Sequence, residues 1–202
     1  MILVGSKNPH KLAEVRAILE PLGLRAVIAV NLPQVEETGA DFAQNAALKA
    51  LAFAQFLRAP CLADDSGLVV PALGGEPGVR SARYAGKQGD DAANIRLLLE
   101  RIRERGLVEP EAYFQCNLAL ALPGAPGRIL VTSKGRALGR ILDTPRGESG
   151  FGYDPVFLDP GSGKTFAELR PEAKNARSHR GAALRALARK LADEGLRAEL
   201  EL

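Results

Sequence analysis

The chain contains no tryptophan, one methionine, two cysteines and two histidines in 202 residues. These scarcities exclude whole classes of protein. Cys61 and Cys116 lie among apolar neighbours with no CxxC spacing, so no disulfide framework can be built and both thiols are expected to be buried and reduced. No His/Cys cluster has zinc spacing, which excludes a thiolate or imidazole metal site. No stretch approaches the roughly 18 consecutive apolar residues of a membrane span. The apolar start, Met1 to Gly5, is far too short for a signal peptide. Nor does any Lys/Arg block extend far enough to suggest a nucleic-acid tail. A cytoplasmic protein follows, with neither nucleic acid nor membrane as partner.

What is present is ordinary for a soluble globular protein. Hydrophobic residues make up 46% and charged residues 25%, enough for a substantial core. The net charge of +3 is mildly basic and suits a small anionic ligand. There are no repeats, low-complexity tracts or linkers, so residues 1–202 read as one domain, with a cleft between its early α/β part and its central hairpin part.

The most chemical stretch is Ala63-Asp64-Asp65-Ser66-Gly67, which follows the apolar run from Ala59. A buried strand ending here would deliver acidic groups to a site. In an extended chain successive side chains face opposite ways, so Asp64 and Asp65 should part company unless the strand has broken. A hard cation such as Mg²⁺ takes carboxylate oxygens and leaves other positions to water and phosphate. Taken alone, the tetrapeptide is equally a charged turn between two strands.

Ser6-Lys7-Asn8-Pro9-His10-Lys11 follows a short strand, Ile2 to Val4. Asn8 is a good N-cap and Pro9 a favoured first helical residue. Leu12, Val15, Ile18, Leu19 and Leu22 then recur at helical spacing until Gly23. A strand–loop–helix start offers backbone N–H groups and a positive dipole end to phosphate. Ser6, Asn8 and Lys11 add donors there, although a plain capped helix would look the same.

Further along, Leu24 to Val30 predicts a strand. Thr38 with Asp41 predicts a capping box, and the helix it opens should bury Phe42, Ala46, Leu48, Leu51, Ala52 and Phe56. Asn45 and Lys49 share a face of that helix. Leu68 to Val70 predicts a strand and Pro71 to Gly78 an irregular loop. Asp90 or Asp91 caps a helix ending at Gly106. Three strands then follow, Ala112 to Leu122, Arg128 to Ser133 and Arg136 to Leu142, with a short one at Val156 to Leu158. The last third is helical, opened by Pro171 and again by Ser178, with Leu184, Leu187, Leu191 and Leu196 inward.

As an ordered set these stretches resemble the inosine triphosphate pyrophosphatase family, which acts on non-standard purine nucleotides. The matching pieces begin with Ser6 to Lys11, Glu36-Glu37-Thr38-Gly39, Asn45 with Lys49, and Ala63 to Leu68. They continue with Leu73 to Gly78, Ser81-Ala82-Arg83-Tyr84, Gly150-Phe151-Gly152-Tyr153-Asp154-Pro155, and Lys164 to Leu169. Glu172-Ala173-Lys174 and Ser178-His179-Arg180 complete them. Position 6 is more often Thr in the family, and Ser keeps the hydroxyl.

The resemblance implies an α/β fold: elongated and two-lobed, with a long twisted mixed β-sheet flanked by helices and a central cleft. It implies Mg²⁺-dependent hydrolysis of ITP, dITP and XTP to the monophosphate and pyrophosphate, cleansing the nucleotide pool, by a homodimer. Asp65 becomes the metal-linked residue that activates water, and one of Glu36 or Glu37 the other metal carboxylate. Ser6, Lys7, Asn8, Pro9, His10 and Lys11 hold phosphates, and Ser66 contacts substrate. Phe151 stacks on the base, with Gly152, Tyr153 and Asp154 near the nucleoside. Lys174, His179 and Arg180 reach the base and its 6-oxo group. Two alternatives remain: a Maf-like nucleotide pyrophosphatase, whose paired arginines are missing here, and a nucleotide-binding protein without turnover.

Overall fold

The structure, a computed structural model, describes residues 2–6, 8–193 and 195–200. Its strands are β1 (Ile2–Val4), β2 (Ala26–Ile28), β3 (Cys61–Val69), β4 (Glu111–Leu122), β5 (Arg128–Ile141), β6 (Phe157–Asp159) and β7 (Lys164–Thr165). They form one seven-stranded sheet in the order β2-β1-β3-β4-β5-β6-β7. β1 pairs in parallel with β2 and β3, whereas β6 is antiparallel to β5 and β7. The sheet is therefore mixed, and its helices are α1 (Pro9–Leu19), α2 (Phe42–Leu57), α3 (Asp91–Glu104), α4 (Pro171–Arg177) and α5 (His179–Asp193). The chain divides into two compact units, one of Met1–Asp65, Cys116–Gly135 and His179–Leu202, the other of Ser66–Gln115 and Arg136–Ser178.

In the first unit the two-residue period of the strands sorts side chains between two cores. Leu62, Cys116, Leu118 and Leu120 pack with Leu12, Val15 and Leu19 of α1 and with Leu184, Leu187 and Leu191 of α5. Cys61, Ala63, Ala119 and Ala121 pack instead with Ala46, Ala50, Phe53 and Ala54 of α2. Continuing that alternation along β3 puts Asp64 with Leu62, on the α1 and α5 face, and Asp65 with Ala63, on the α2 face. The second unit has its own core, in which Leu68 and Val70 meet Leu98, Leu99 and Ile102 of α3 and the rings of Phe114, Phe157 and Phe166. Those rings lie 4.6 to 5.9 Å apart between centroids, the spacing that favours offset and tilted aromatic contact.

Several expectations change. β3 passes through Asp64-Asp65-Ser66-Gly67 without a break, so the stretch is neither a turn nor a strand end. Burial of both faces, and the partners that wait on each for a carboxylate, outweigh the poor strand propensity of Asp and Gly. Asp41, not Thr38, caps α2, accepting from Gln44 N–H at 2.8 Å. The buried stripe of α2 runs through Phe42, Asn45, Ala46, Ala50, Phe53 and Ala54, which leaves Leu48 and Phe56 exposed. Arg128 to Ser133 and Arg136 to Leu142 are a single strand, Arg128–Ile141. α5 stops at Asp193, and Leu196 starts a separate 3₁₀ turn.

Gly135 explains why β5 tolerates a glycine at mid-strand. A Cβ there would overlap the His179 carbonyl oxygen and the Ala183 nitrogen, both backbone atoms of α5. Beside it, Ser133 Oγ donates to the Ala183 carbonyl at 2.9 Å. The absent side chain lets the first turn of α5 rest directly on the strand. Gly135→Ala should therefore destabilise the protein by about 1–3 kcal/mol, the usual cost of forcing extra volume into close packing. Urea unfolding checks this through a lowered midpoint with an unchanged slope.

Candidate active site

α1 begins where β1 ends, in the parallel part of the sheet. β1 has β2 on one side and β3 on the other, so the chain after β1 leaves at a topological switch point, where open α/β sheets bind ligands. Asn8 caps the helix, its Oδ1 accepting from His10 N–H at 2.9 Å and from Lys11 N–H at 3.4 Å. Ser6 Oγ accepts from Asn8 N–H at 3.2 Å. Two of the helix-start donors expected to await phosphate are thus engaged by Asn8. Pro9 and His10 are exposed, and Lys7 lies outside the described residues.

Asp64 faces this helix. Its Oδ2 takes Lys11 Nζ at 2.9 Å and Arg180 Nη2 at 3.3 Å. Arg180 comes from the first turn of α5, is 1% exposed, and also pairs through Nη1 with Glu14 of α1. Two cations and two carboxylates therefore tie β3, α1 and α5 together. Burial acts to raise the Asp64 pKa, but the charges of Lys11, Arg180 and Lys49 outweigh it and hold the carboxyl well below the ordinary range. For Arg180, burial acts against the charge, yet Asp64 and Glu14 raise its pKa above that of a free guanidinium. His179, next to it, is also buried.

Asp65 faces α2 and a different cation. Lys49 Nζ lies 2.8 Å from Asp65 Oδ1 and 2.6 Å from Glu37 Oε1. Asn45, fully buried, donates through Nδ2 to Asp65 Oδ2 at 3.3 Å and accepts Gly39 N–H at Oδ1 at 2.8 Å. That second bond anchors the acidic loop, and it brings Glu37 to Lys49 while Glu36 stays exposed. Burial raises the pKa of Asp65; Lys49 counters this, whereas Glu37 and Asp64 add to it, and the net shift is upward. Lys49 is raised too, since Asp65 and Asp64 overcome its own burial. Two neighbouring carboxyls thus have their pKa values pushed in opposite directions, which is how acid–base roles are separated in enzymes.

Two carboxylates converging on one cation are hard oxygen donors of the kind that Mg²⁺ takes. Among the described residues no group of three or more His, Cys, Asp or Glu side chains is arranged around a metal position. The set therefore suits a cation that draws its remaining ligands from water and substrate. The thiols take no part: Cys61 and Cys116 are buried, and burial pushes each pKa up to about 12.

The second unit holds the other predicted group. The turn Phe151-Gly152-Tyr153-Asp154 closes on itself, with Asp154 Oδ2 accepting Phe151 N–H at 2.9 Å. Lys174 of α4 donates to the same oxygen at 2.7 Å, both side chains being nearly buried. Its Nζ also stands 4.8 Å from the centre of the Phe151 ring, within cation–π range. Tyr153 is buried and donates its hydroxyl to the Ser81 carbonyl at 2.9 Å. Ser66, half-buried, is the first residue of this unit.

Glu14, the ion-pair role of Asp64 and the bond from Gly152 N–H to Asp91 are not signalled in the sequence, which offers Asp91 only as a helix cap. Asn45 and Lys49 are read from the sequence as neighbours on a helix face and as a piece of the family pattern, with no role assigned to either. A buried polar pair at i, i+4 on an otherwise alanine-rich apolar stripe was the available signal.

Comparison with known proteins identifies the family. The family model described as the Ham1 family matches residues 2–190. A dITP/XTP pyrophosphatase of Geobacillus kaustophilus (strain HTA426) is 47% identical over 186 residues, covering 91% of this chain and 90% of that protein. Another, from Bacillus subtilis (strain 168), is 42% identical over 192 residues, 94% of this chain and 96% of the other. The solved structure of a HAM1 protein from Coxiella burnetii superposes with a TM-score of 0.86 at 41% identity, covering 95% of this chain and 98% of that one. With a matching family model along nearly its whole length, and relatives of this identity, the chain belongs to the Ham1 family.

Proposed function

We propose that this protein hydrolyses the triphosphates of non-standard purine nucleosides, ITP, dITP and XTP, to the monophosphate and pyrophosphate. The observation that carries the reading is the parting of Asp64 and Asp65 on an unbroken strand. One carboxylate organises the lysine beside the capped helix, and the other sits with Lys49 and Glu37. Phosphoryl chemistry needs both kinds of group: cations that position phosphate, and a carboxylate that manages the attacking water. The names of the relatives, dITP/XTP pyrophosphatases, support the same substrate class.

In this reading Ser6, Asn8 and Lys11 hold the polyphosphate, with Lys11 aimed by Asp64 and Arg180. Asp65 orients the attacking water and accepts its proton, as a carboxylate held in place by Asn45 and Lys49 can do. Asn45 and Lys49 fix the Asp65 carboxylate, and Lys49 offsets its charge. Asp65 and Glu37 would hold Mg²⁺, which when bound offsets phosphate charge and helps activate water. Attack falls on the α-phosphorus and pyrophosphate leaves. The Phe151 face receives the purine, with Lys174 and Asp154 beside it. His179 and Arg180 favour a 6-oxo acceptor over a 6-amino donor, since guanidinium only donates. The chain acts in the cytoplasm as a homodimer, an assignment supported by its family resemblance.

The direct test is a panel of nucleoside triphosphates assayed for both phosphate and pyrophosphate, with Mg²⁺ and with excess chelator. ITP, dITP and XTP should release pyrophosphate only when Mg²⁺ is present. Orthophosphate as sole product, or full activity in chelator, would refute the reading.

Asp65→Asn should retain the side-chain shape and lower kcat by about 10²-fold or more, as loss of a general base does. Turnover at the parent rate would remove Asp65 from the chemistry.

Arg180→Ala should narrow the gap between ITP and ATP. Sites that pair buried polar groups reject a mismatched partner by roughly 10⁴-fold. The ratio of kcat/KM for ITP to that for ATP is therefore expected to fall by at least about tenfold. A ratio taken within one variant does not depend on the fraction of protein folded, so an unchanged ratio assigns Arg180 to the ion pair alone.

A further inference from the structure

The Phe151–Asp154 turn is fastened from inside and from outside. The inner fastening is local: Asp154 accepts the Phe151 N–H, and Asp154 N–H returns to the Phe151 carbonyl at 3.3 Å; the same carboxylate also takes the Lys174 ammonium of α4 at 2.7 Å, a tie to another element. The two bonds within the turn shape it without fixing where it sits, and Lys174 holds only its Asp154 end. The outer fastening comes from α3, where Asp91 Oδ2 accepts the Gly152 N–H at 2.6 Å across 61 residues of sequence. Gly152 has φ of +63°, a conformation that few other residues take without strain, and it aims that N–H out of the turn. The consecutive N–H groups of residues 151 and 152 thus go to different carboxylates.

Asp91 is not needed to start its own helix. Asp90 is the N-cap of α3, accepting Ala93 N–H at 3.0 Å. α3 is in turn a firm mount, because Leu98, Leu99 and Ile102 are buried in the core of the second unit. A short, charge-assisted hydrogen bond from such a mount holds more firmly than a neutral one. At the far side of the turn the Tyr153 hydroxyl bonds to the Ser81 carbonyl. The platform that carries the Phe151 ring is therefore tied to other segments at Asp91, at the Ser81 carbonyl and at Lys174, and Asp91 is the tie at Gly152, next to the ring.

We propose that Asp91 is a positioning residue for purine recognition: by holding the Gly152 N–H it sets the Phe151 ring at the place and tilt at which a base lies on it. This rests on the reading of Phe151 as the base-stacking residue. Asp91 touches no substrate and acts only through the turn. Its loss lets the turn swing, so the ring meets the base less often, while the phosphate and water groups of the reaction keep their geometry. The ordinary alternative is an acidic residue in the first turn of a helix, worth some stability through the helix dipole and nothing in recognition.

The test uses the full-length protein with Mg²⁺ and four variants: Asp91→Ala, Asp91→Ser, Asp91→Asn and Phe151→Ala. KM and kcat are measured for ITP. Inorganic tripolyphosphate, which offers the phosphates without a base, is titrated as a competitive inhibitor. Asp91→Ala should raise KM for ITP by about tenfold, the loss of one hydrogen bond to a charged group, with kcat and the tripolyphosphate inhibition constant unchanged. Asp91→Ser, too short to reach Gly152 but well suited to a helix start, should behave like Asp91→Ala and serves if that variant folds poorly. Asp91→Asn keeps an oxygen that accepts the N–H and should return KM close to the parent value. A parent-like KM in both Asp91→Ala and Asp91→Ser overturns the proposal. So does an Asp91→Asn protein as impaired as Asp91→Ala, which would indicate charge at the helix start. Equal weakening of tripolyphosphate also overturns it, by revealing general damage. Phe151→Ala separates the proposal from the reading beneath it. If Phe151→Ala raises KM and Asp91→Ala does not, only the role of Asp91 is wrong. If Phe151→Ala leaves KM unchanged, the stacking reading falls and the proposal with it.

Discussion

The alternation of side chains along β3 is the constraint from which the geometry of the first unit follows. Because Cys61–Val69 stays extended through two aspartates, the strand cannot present both to one place. Each carboxylate enters a different helix–sheet interface, and each interface must then supply a cation, since a buried charge without a partner is very costly. α1 and α5 supply Lys11 and Arg180 to Asp64, and α2 supplies Lys49 to Asp65. The lysine and arginine positions on three helices are thus consequences of one dipeptide. A bulge or break at residues 64–65 would reverse one of these faces and strand a pair of charges on each side.

The two clusters differ in kind. Around Asp64 the positive charge of Lys11 and Arg180 is matched by Asp64 and Glu14, nearly all of it within reach of a hydrogen bond. Such an arrangement fixes protonation states and holds secondary elements in register, although buried pairs add little net stability compared with apolar packing. Around Asp65 the balance is one lysine against two carboxylates. That surplus of negative charge, together with burial, raises the Asp65 pKa while its neighbour goes down. A site with spare negative charge on hard oxygens favours a divalent cation, and relieving that surplus is what such an ion does on binding. The asymmetry between the two clusters, and not the presence of acids as such, is what supports the proposal of metal-assisted chemistry on the α2 face.

Much of this was legible in residue order. The Asn8-Pro9 start of α1, an aspartate cap for α3 at residue 90 or 91 and the leucines 184, 187 and 191 of α5 are signals carried within each segment. The parting of Asp64 and Asp65 followed from strand geometry alone, given the condition that the strand continue. Whether it did continue was not readable, since the residues that make Asp64-Asp65-Ser66-Gly67 a strand lie on other elements. The same holds for Gly135, whose reason is the backbone of α5 rather than a turn. The stripe of α2 was misread because Leu48 and Phe56 outweigh alanine on any hydrophobicity scale. The alanine face is the buried one, and Asn45 lies within it at no exposure. Choosing Glu37 over Glu36 needed the Gly39 to Asn45 bond, a contact between a loop and a helix that neither segment announces.

Tandem aspartates recur at residues 90–91, under a different geometry and with the same outcome. On a helix start, as on a strand, adjacent side chains diverge, here because successive residues are about 100° apart around the axis. Asp90 turns back to its own helix and Asp91 outward to Gly152. In both dipeptides the two acids go to different partners: at 64–65 both partners lie on other elements, whereas at 90–91 only Asp91 leaves its own helix. Asp64 belongs to the pair of faces that lock β3 to α1 and α5, and Asp90 to the cap of α3. Asp65 reaches the lysine that a loop glutamate also holds, and Asp91 reaches a glycine turn. The economy is physical: an acid already adjacent to a rigid element inherits that element's rigidity, so its carboxylate can hold a less regular segment in place with a single hydrogen bond.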